Sequence, residues 1–274
     1  MPSASEVREQ VARESEQRRR FAVPAFASGI LYLLSGIIVS ASLSGTPTVG
    51  VIQGLAPALH GEANPRVSPR TPTVKFVSHH ALTLIAGSVI GALAIAVLTL
   101  VLLVILDATR FRRPETWRPA RPLIIAGGAG VAALNLAHSV ILGITSHKFA
   151  VGHDFTNHAV DRALLTAGGV GVGLGAAGLF ASLALVAGMG TTMVASMRVG
   201  LTARWVSFLG IFAALLFAYG VQITARNLDI DTVALFFSFG FVYAIVPIAA
   251  LAVGIYAIAD AVAALQIIQA GEPR

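Results

Sequence analysis

The chain has no cysteine among its 274 residues. That excludes disulfides, Cys-ligated iron–sulfur clusters and thiol catalysis, and it carries no information about compartment. Charge is also scarce: Asp, Glu, Lys and Arg make up 12% of the chain, against roughly 25% in an ordinary soluble domain. Too little charged side chain is present to cover a water-facing surface. There is no P-loop, no HExxH and no GxGxxG that follows a strand, which removes the common phosphate-cradling and zinc-hydrolase patterns. What fills the space is apolar. Hydrophobic residues make up 56% of positions, and the mean hydropathy is +0.80.

The apolar residues fall into runs. A helix rises about 1.5 Å per residue, so a hydrocarbon core of about 30 Å takes roughly 20 apolar residues to cross. Six stretches meet that length, at about 21–44, 77–106, 122–146, 163–197, 205–225 and 232–259. Their middles carry no Asp, Glu, Lys or Arg. One such residue at the bilayer centre costs about 2.5–3.5 kcal/mol, whereas each Leu or Ile returns about 0.3–0.6. The third run, with Asn135 and His138, and the fifth, with Gln222, are the least apolar. The first is too long for a signal-peptide core and follows twenty polar residues, so it reads as a retained anchor. The expected fold is all-α: a polytopic membrane protein with a six-transmembrane-helix bundle at 21–265, preceded by an amphiphilic helix at 1–20 and followed by a tail at 266–274.

Basic residues give the orientation. With the N-terminus cytoplasmic, the inner segments hold thirteen of them, including Arg18, Arg19, Arg20, Arg110, Arg112, Arg113, Arg118 and Arg121. The outer segments hold six: Arg66, Arg70, Lys75, Lys148, Arg162 and Arg226. The positive-inside rule then places both termini in the cytoplasm, with the chain in a bacterial plasma membrane. The net charge of +6 belongs to this bias rather than to a nucleic-acid surface, because the basic residues flank apolar runs. The N-terminal segment has Ser3 and Glu6 at capping-box spacing. It also has Glu9–Arg13, Glu14–Arg18 and Glu16–Arg20 at the favoured four-residue separation. Pro24 is expected to kink or restart the helix, and Gly200 to end span four.

Helices in lipid associate through small residues that allow close approach. Gly169, Gly171, Gly173 and Gly175 crowd the outer half of span four, making it the expected packing centre. Gly127, Gly128 and Gly130 add to span three. Charge-free interiors argue against proton relays, voltage sensing and the usual intramembrane catalytic dyads, although a carbonyl-lined filter needs no charge.

All seven histidines fall in or near the outer half: His60, His79, His80, His138, His147, His153 and His158. If the chain from Asp154 is helical, Asp154 caps it and shares a face with His158 at four residues, with Asp161 three further on. His79, His80, His153, Asp154 and His158 are then the candidate ligands for a Zn, Cu or Fe ion. Against this stands the plainer role of interfacial histidine, hydrogen bonding and titrating in water. Bis-histidine haem fits less well, since His138 lies about 12 Å deep while His79 and His80 lie at the mouth of span two.

Three junctions carry a resemblance: Arg19–Gly36 (RRFAVPAFASGILYLLSG), Asp107–Glu115 (DATRFRRPE) and Met197–Ile211 (MRVGLTARWVSFLGI). They are similar to those of a group of bacterial multi-pass membrane proteins, found especially in actinobacteria, with no established activity. The resemblance implies the topology and supplies no catalytic residues. The leading expectation is a non-enzymatic envelope component (scaffold, sensor or accessory subunit) that needs no cofactor. Its partners would be the bilayer itself and a second copy or another membrane protein. One alternative is a small-solute or lipid transporter, with a cavity between spans three, four and six lined by Asn135, His138, Gln222 and Tyr243. Another is an enzyme using the outer His/Asp set.

Overall fold

A computed structural model describes residues 4–47, 49, 60–61, 67–165, 169–201, 204, 207–208 and 211. Ser3, nearly all of span five, span six and the tail at 266–274 lie outside the described residues. Within them every regular element is a helix, and the strand-like pairing is limited to an isolated bridge between Val67 and Phe155. In chain order the helices are α1 (Ala4–Leu43), α2 (Thr71–His79), α3 (Ala81–Arg112), α4 (Ala120–Val151), α5 (Asn157–Ala163) and α6 (Gly169–Arg198).

Among the described residues four segments are long and apolar enough to cross a membrane: Val23–Leu43, Ala81–Arg112, Ala120–Val151 and Gly173–Arg198, with 21, 32, 32 and 26 residues. They pack serially and antiparallel, α1 on α3, α3 on α4, α4 on α6. The glycines set the register. A Cβ on Gly91 would meet the Ser35 hydroxyl at 2.6 Å, one on Gly128 would meet Thr99 Oγ1 at 2.0 Å, and one on Gly127 would meet the Leu185 backbone N at 2.3 Å. Hydrogen side chains at these points let neighbouring helices approach where lipid supplies no hydrophobic drive. Ser35 Oγ donates to Gly87 O at 2.7 Å, and the Ser88 and Ser139 hydroxyls hydrogen-bond to each other at 2.5 Å.

The main core lies toward the arginine-rich end. It joins Leu98, Leu102, Ile105 and Leu106 of α3 to Ile124 and Val131 of α4 and to Leu185, Met189 and Met193 of α6. Other polar groups inside the helices are spent locally: Thr99, Thr109 and Thr192 each donate to the carbonyl four residues back at 2.7 Å. A hydroxyl satisfied in this way avoids the cost of an unpaired donor in an apolar interior.

The boundaries differ from the sequence expectation at three places. Pro24 does not interrupt α1, which is helical from Ala4 to Leu43. The register with α3 is unbroken across the proline, because Glu14 opposes Arg112 and Ser35 opposes Gly91 at matching separations, about 30 Å along the axis. Span two is not one helix from 77: α2 ends and α3 begins at His80, where φ is −100° and ψ 8°. Span four does not begin at 163, since α5 closes at Ala163, Leu165 takes φ 57°, and α6 starts at Gly169. Gly200 does end α6. With φ +69° it lets its own N–H reach Met197 O at 3.1 Å and that of Leu201 reach Ser196 O at 3.0 Å, satisfying carbonyls the helix leaves open.

Candidate functional site

The end of the bundle opposite the arginines carries a small structured cap built by α2, α5 and the chain around Phe155. Thr156 starts α5: in extended conformation, its hydroxyl accepts from the Ala159 N–H at 3.3 Å. Asp154 is therefore not the cap expected from sequence. It stands two residues earlier and accepts from the Thr156 N–H at 3.1 Å and from the Thr156 hydroxyl at 2.8 Å. Either residue type can cap, and the Asx turn resolves the choice by holding Thr156 in place.

The cap docks through a second hydrophobic cluster of Val74, Phe149, Ala159, Val160 and Ala163, flanked by Phe155 and Leu164. Phe149 and Phe155 meet edge to face at 5.5 Å, and Lys75 Nζ sits 5.0 Å above the Phe155 ring. Polar ties complete it: Ser68 N to Phe155 O at 2.7 Å, Thr145 Oγ1 to Ala163 O at 2.8 Å, Thr73 Oγ1 to Pro47 O at 2.8 Å, and an ion pair between Arg70 and Asp161.

The candidate ligands are distributed around this cap rather than gathered in it. His79 is exposed at the last position of α2. His80 is turned back, its ring stacked on Phe76 at 4.2 Å and its Nδ1 2.9 Å from Phe76 O. His153 and His158 are exposed, and Asp154 is engaged with Thr156 and lies 3.8 Å from Arg162. Among the described residues no three His, Asp or Glu side chains come together as a metal-holding group. Coordination at about 2 Å would need such convergence. The Asp154 carboxyl is held below its usual range, first by the Thr156 backbone N–H, then by the Thr156 hydroxyl and by the nearby charges of Arg162 and His158. That arrangement favours a turn-forming carboxylate.

Asn135 and His138 are exposed among the described residues, three apart on α4; Gln222 and Tyr243 lie outside the described residues. Gly169 opens α6. A Cβ on Gly171 would fall 2.1 Å from Leu165 O, so this glycine accommodates the preceding turn, whereas Gly173 meets no described atom within 4 Å. Gly175 is half-buried. Residues 173–178 have the letters GxGxxG, but they lie inside α6, where successive N–H groups are committed to the helix and cannot cradle a phosphate. Among the described helices the closest approaches instead centre on α4, through Gly127, Gly128 and Gly130.

At the opposite end the structure holds two features the sequence hid. Glu14 is buried (7% exposed) and takes Arg112 as partner across 98 residues. Arg110 donates to Trp117 O at 3.2 Å and to Arg118 O at 2.8 Å, folding the connection between α3 and α4. The i,i+4 spacing of Glu14 to Arg18 concealed the first. The Arg/Pro density of the loop was the available signal for the second. No family model, curated protein or solved structure matches the chain.

Proposed function

We propose that this chain is a six-span protein of the bacterial plasma membrane, with both termini cytoplasmic, serving as a non-enzymatic component of the envelope. It acts as a scaffold, sensor or accessory subunit whose partner is a second copy or another membrane protein. The carrying observation is the serial antiparallel register of four apolar helices. It brings Arg8, Arg13, Arg20, Arg110, Arg113, Arg118, Arg121 and Arg198 to one end, the asymmetry expected of a cytoplasmic face. Spans five and six continue that alternation and return the C-terminus to the same side.

The absence of native cysteine makes the test clean. Single cysteines at Arg8, Glu115 and Glu272 should react with a membrane-impermeant maleimide only in permeabilised cells. Cysteines at His153 and His158 should react in intact cells. Labelling of Glu272→Cys in intact cells would overturn the six-span count, and a full reversal would overturn the orientation.

A transport role has one observation in its favour. Asn135 and His138 sit in a span and are uncovered by the described helices, and polar groups in a span face protein or a water-filled cavity. A cysteine at Asn135 that a small water-soluble reagent reaches from one side would support that cavity, and inertness to such reagents would count against it.

A further inference from the structure

The loop between α3 and α4 is a built structure. The Arg113 N–H continues the α3 ladder to Thr109 O at 2.9 Å, and the buried Thr116 donates through Oγ1 to Arg113 O at 2.7 Å. The Ala120 N–H closes the far side on Trp117 O at 3.2 Å, and Arg110 grips the same carbonyl and that of Arg118 from below. So held, the loop presents Trp117 with 47% of its surface exposed.

Charge is allotted unevenly around that ring. Arg112 is taken by Glu14, and Arg121 lies 3.6 Å from Asp107. Arg113 and Arg118, which bracket Trp117, have no carboxylate partner among the described residues. Glu115, also exposed, lies between them in sequence without an ion pair among the described residues. From Asp107 to Arg121 five arginines face two acids. Height matters as well. The Asp107–Arg121 contact lies near the end of the apolar stretch of α3, and Arg110 lies three residues beyond Asp107, about 4.5 Å along the axis. The headgroup layer is about 5–8 Å thick on each side, so the Trp117 carbonyl that Arg110 holds falls within it. An amphipathic indole belongs at that depth, and a guanidinium fork matches phosphate oxygens.

We infer that the loop from Arg113 to Pro119 binds the phosphate of an anionic phospholipid headgroup, with Arg113 and Arg118 as the cation pair and Trp117 seated beside it. The inference rests on the membrane placement of α3 and α4, and on neither the role nor the orientation proposed above. Juxtamembrane cations near an anionic leaflet each add to such binding, and a fixed loop spends little entropy in offering two of them.

The chain has two tryptophans, so Trp205→Phe leaves Trp117 as the sole tryptophan, excited selectively at the red edge where tyrosine does not absorb. Reconstituted into phosphatidylcholine vesicles, it is titrated with acyl-brominated phosphatidylglycerol or with acyl-brominated phosphatidylcholine at equal low mole fraction. The expected result is quenching by the anionic lipid stronger by several-fold, with a ceiling of about thirtyfold in affinity for two cations at about 1 kcal/mol each. Arg113→Gln with Arg118→Gln should bring the two lipids level. Added salt should narrow the preference in the parent, Glu115→Gln should widen it, and free inorganic phosphate should not abolish it. Equal quenching by the two lipids in the parent, or a preference surviving the double substitution, overturns the site. Quenching by neither lipid overturns it too, together with the membrane placement of the loop.

Discussion

The Glu14 carboxylate receives both ends of the Arg112 guanidinium, at 2.7 Å to Oε1 and 2.9 Å to Oε2. Gln10 Nε2 donates to the same carboxylate at 3.0 Å, and Arg112 Nη1 also reaches Ala108 O at 3.0 Å. This cluster fastens the polar first half of α1 to the end of α3, beyond the apolar stretch of either helix. The other pairs on α1, Glu9–Arg13 and Glu16–Arg20, have side chains more than 60% exposed. Exposed pairs contribute little after screening and side-chain entropy, whereas a bidentate pair with one buried partner leaves a donor fork unsatisfied when broken.

A double-mutant cycle on Glu14→Gln and Arg112→Gln should accordingly give a coupling of about 1–2 kcal/mol in thermal or denaturant unfolding of the detergent-solubilised protein. The same cycle on Glu9 and Arg13 should give less than about 0.5. Equal couplings would mean that burial of Glu14 confers no advantage.

That contrast also marks what the sequence could reveal. The four apolar helices were legible because composition alone decides whether a segment of that length faces lipid, and Gly200 was legible because a positive φ is glycine's own territory. Glu14 was not, since the local spacing offered Arg18 and nothing in one dimension announces a partner 98 residues away. The glycines illustrate the same limit. Small-xxx-small spacing drew attention to Gly169, Gly171, Gly173 and Gly175, whereas among the described residues the tight approaches of α6 to α4 come at Ala181, Leu185 and Gly188. His79, His80, His153 and His158 stand near one another in the sequence reading, yet among the described residues they form no metal-holding group, and the turn at His80 folds its ring onto Phe76.

The glycine geometry makes a sharp comparison. A Cβ on Gly127 would sit 2.3 Å from Leu185 N and 2.6 Å from Leu185 Cα, main-chain atoms that cannot swing aside. Gly127→Ala should destabilise by about 1–3 kcal/mol, the cost typical of overpacking, and lower the yield of monodisperse protein. Gly173→Ala meets no described atom within 4 Å. Against the described helices it should therefore cost less than Gly127→Ala, and helix propensity favours the alanine by up to about 1 kcal/mol. The reverse order would place the packing centre on α6 after all.

Asp154 predicts a pH response confined to the cap. Its folded pKa is lowered, chiefly by the Thr156 backbone N–H. Its contribution is therefore complete above the unfolded value of about 3.9 and is lost as pH falls through the lowered folded value. Amide exchange at Thr156 and Ala159 should speed up below about pH 4 beyond the change in intrinsic rate, while that at Thr99 should not. Asp154→Asn, which keeps the turn geometry but not the charge, should remove this added acid sensitivity. Persistence of the effect in the variant would assign it to another group.

Arg70 and Asp161 provide the last prediction, because they join the N-cap of α2 to α5 across the cap. Their side chains are 21% and 27% exposed, so solvent screens the pair only in part, and Asp161→Asn leaves the guanidinium with a weaker acceptor. Ala159 lies beneath, buried in the small cluster with Val160 and Phe149. A cysteine at position 159 would be the chain's sole thiol, and its labelling reports how often the cap opens. In the Asp161→Asn background the maleimide rate should rise about 5–30-fold, the factor that one to two kcal/mol of lost closure produces. Lys75→Gln, which removes only the cation above the Phe155 ring, should raise it less, because an exposed cation–π contact contributes about 0.5–1 kcal/mol. An unchanged rate in Asp161→Asn would show that the hydrophobic cluster alone holds α5 down.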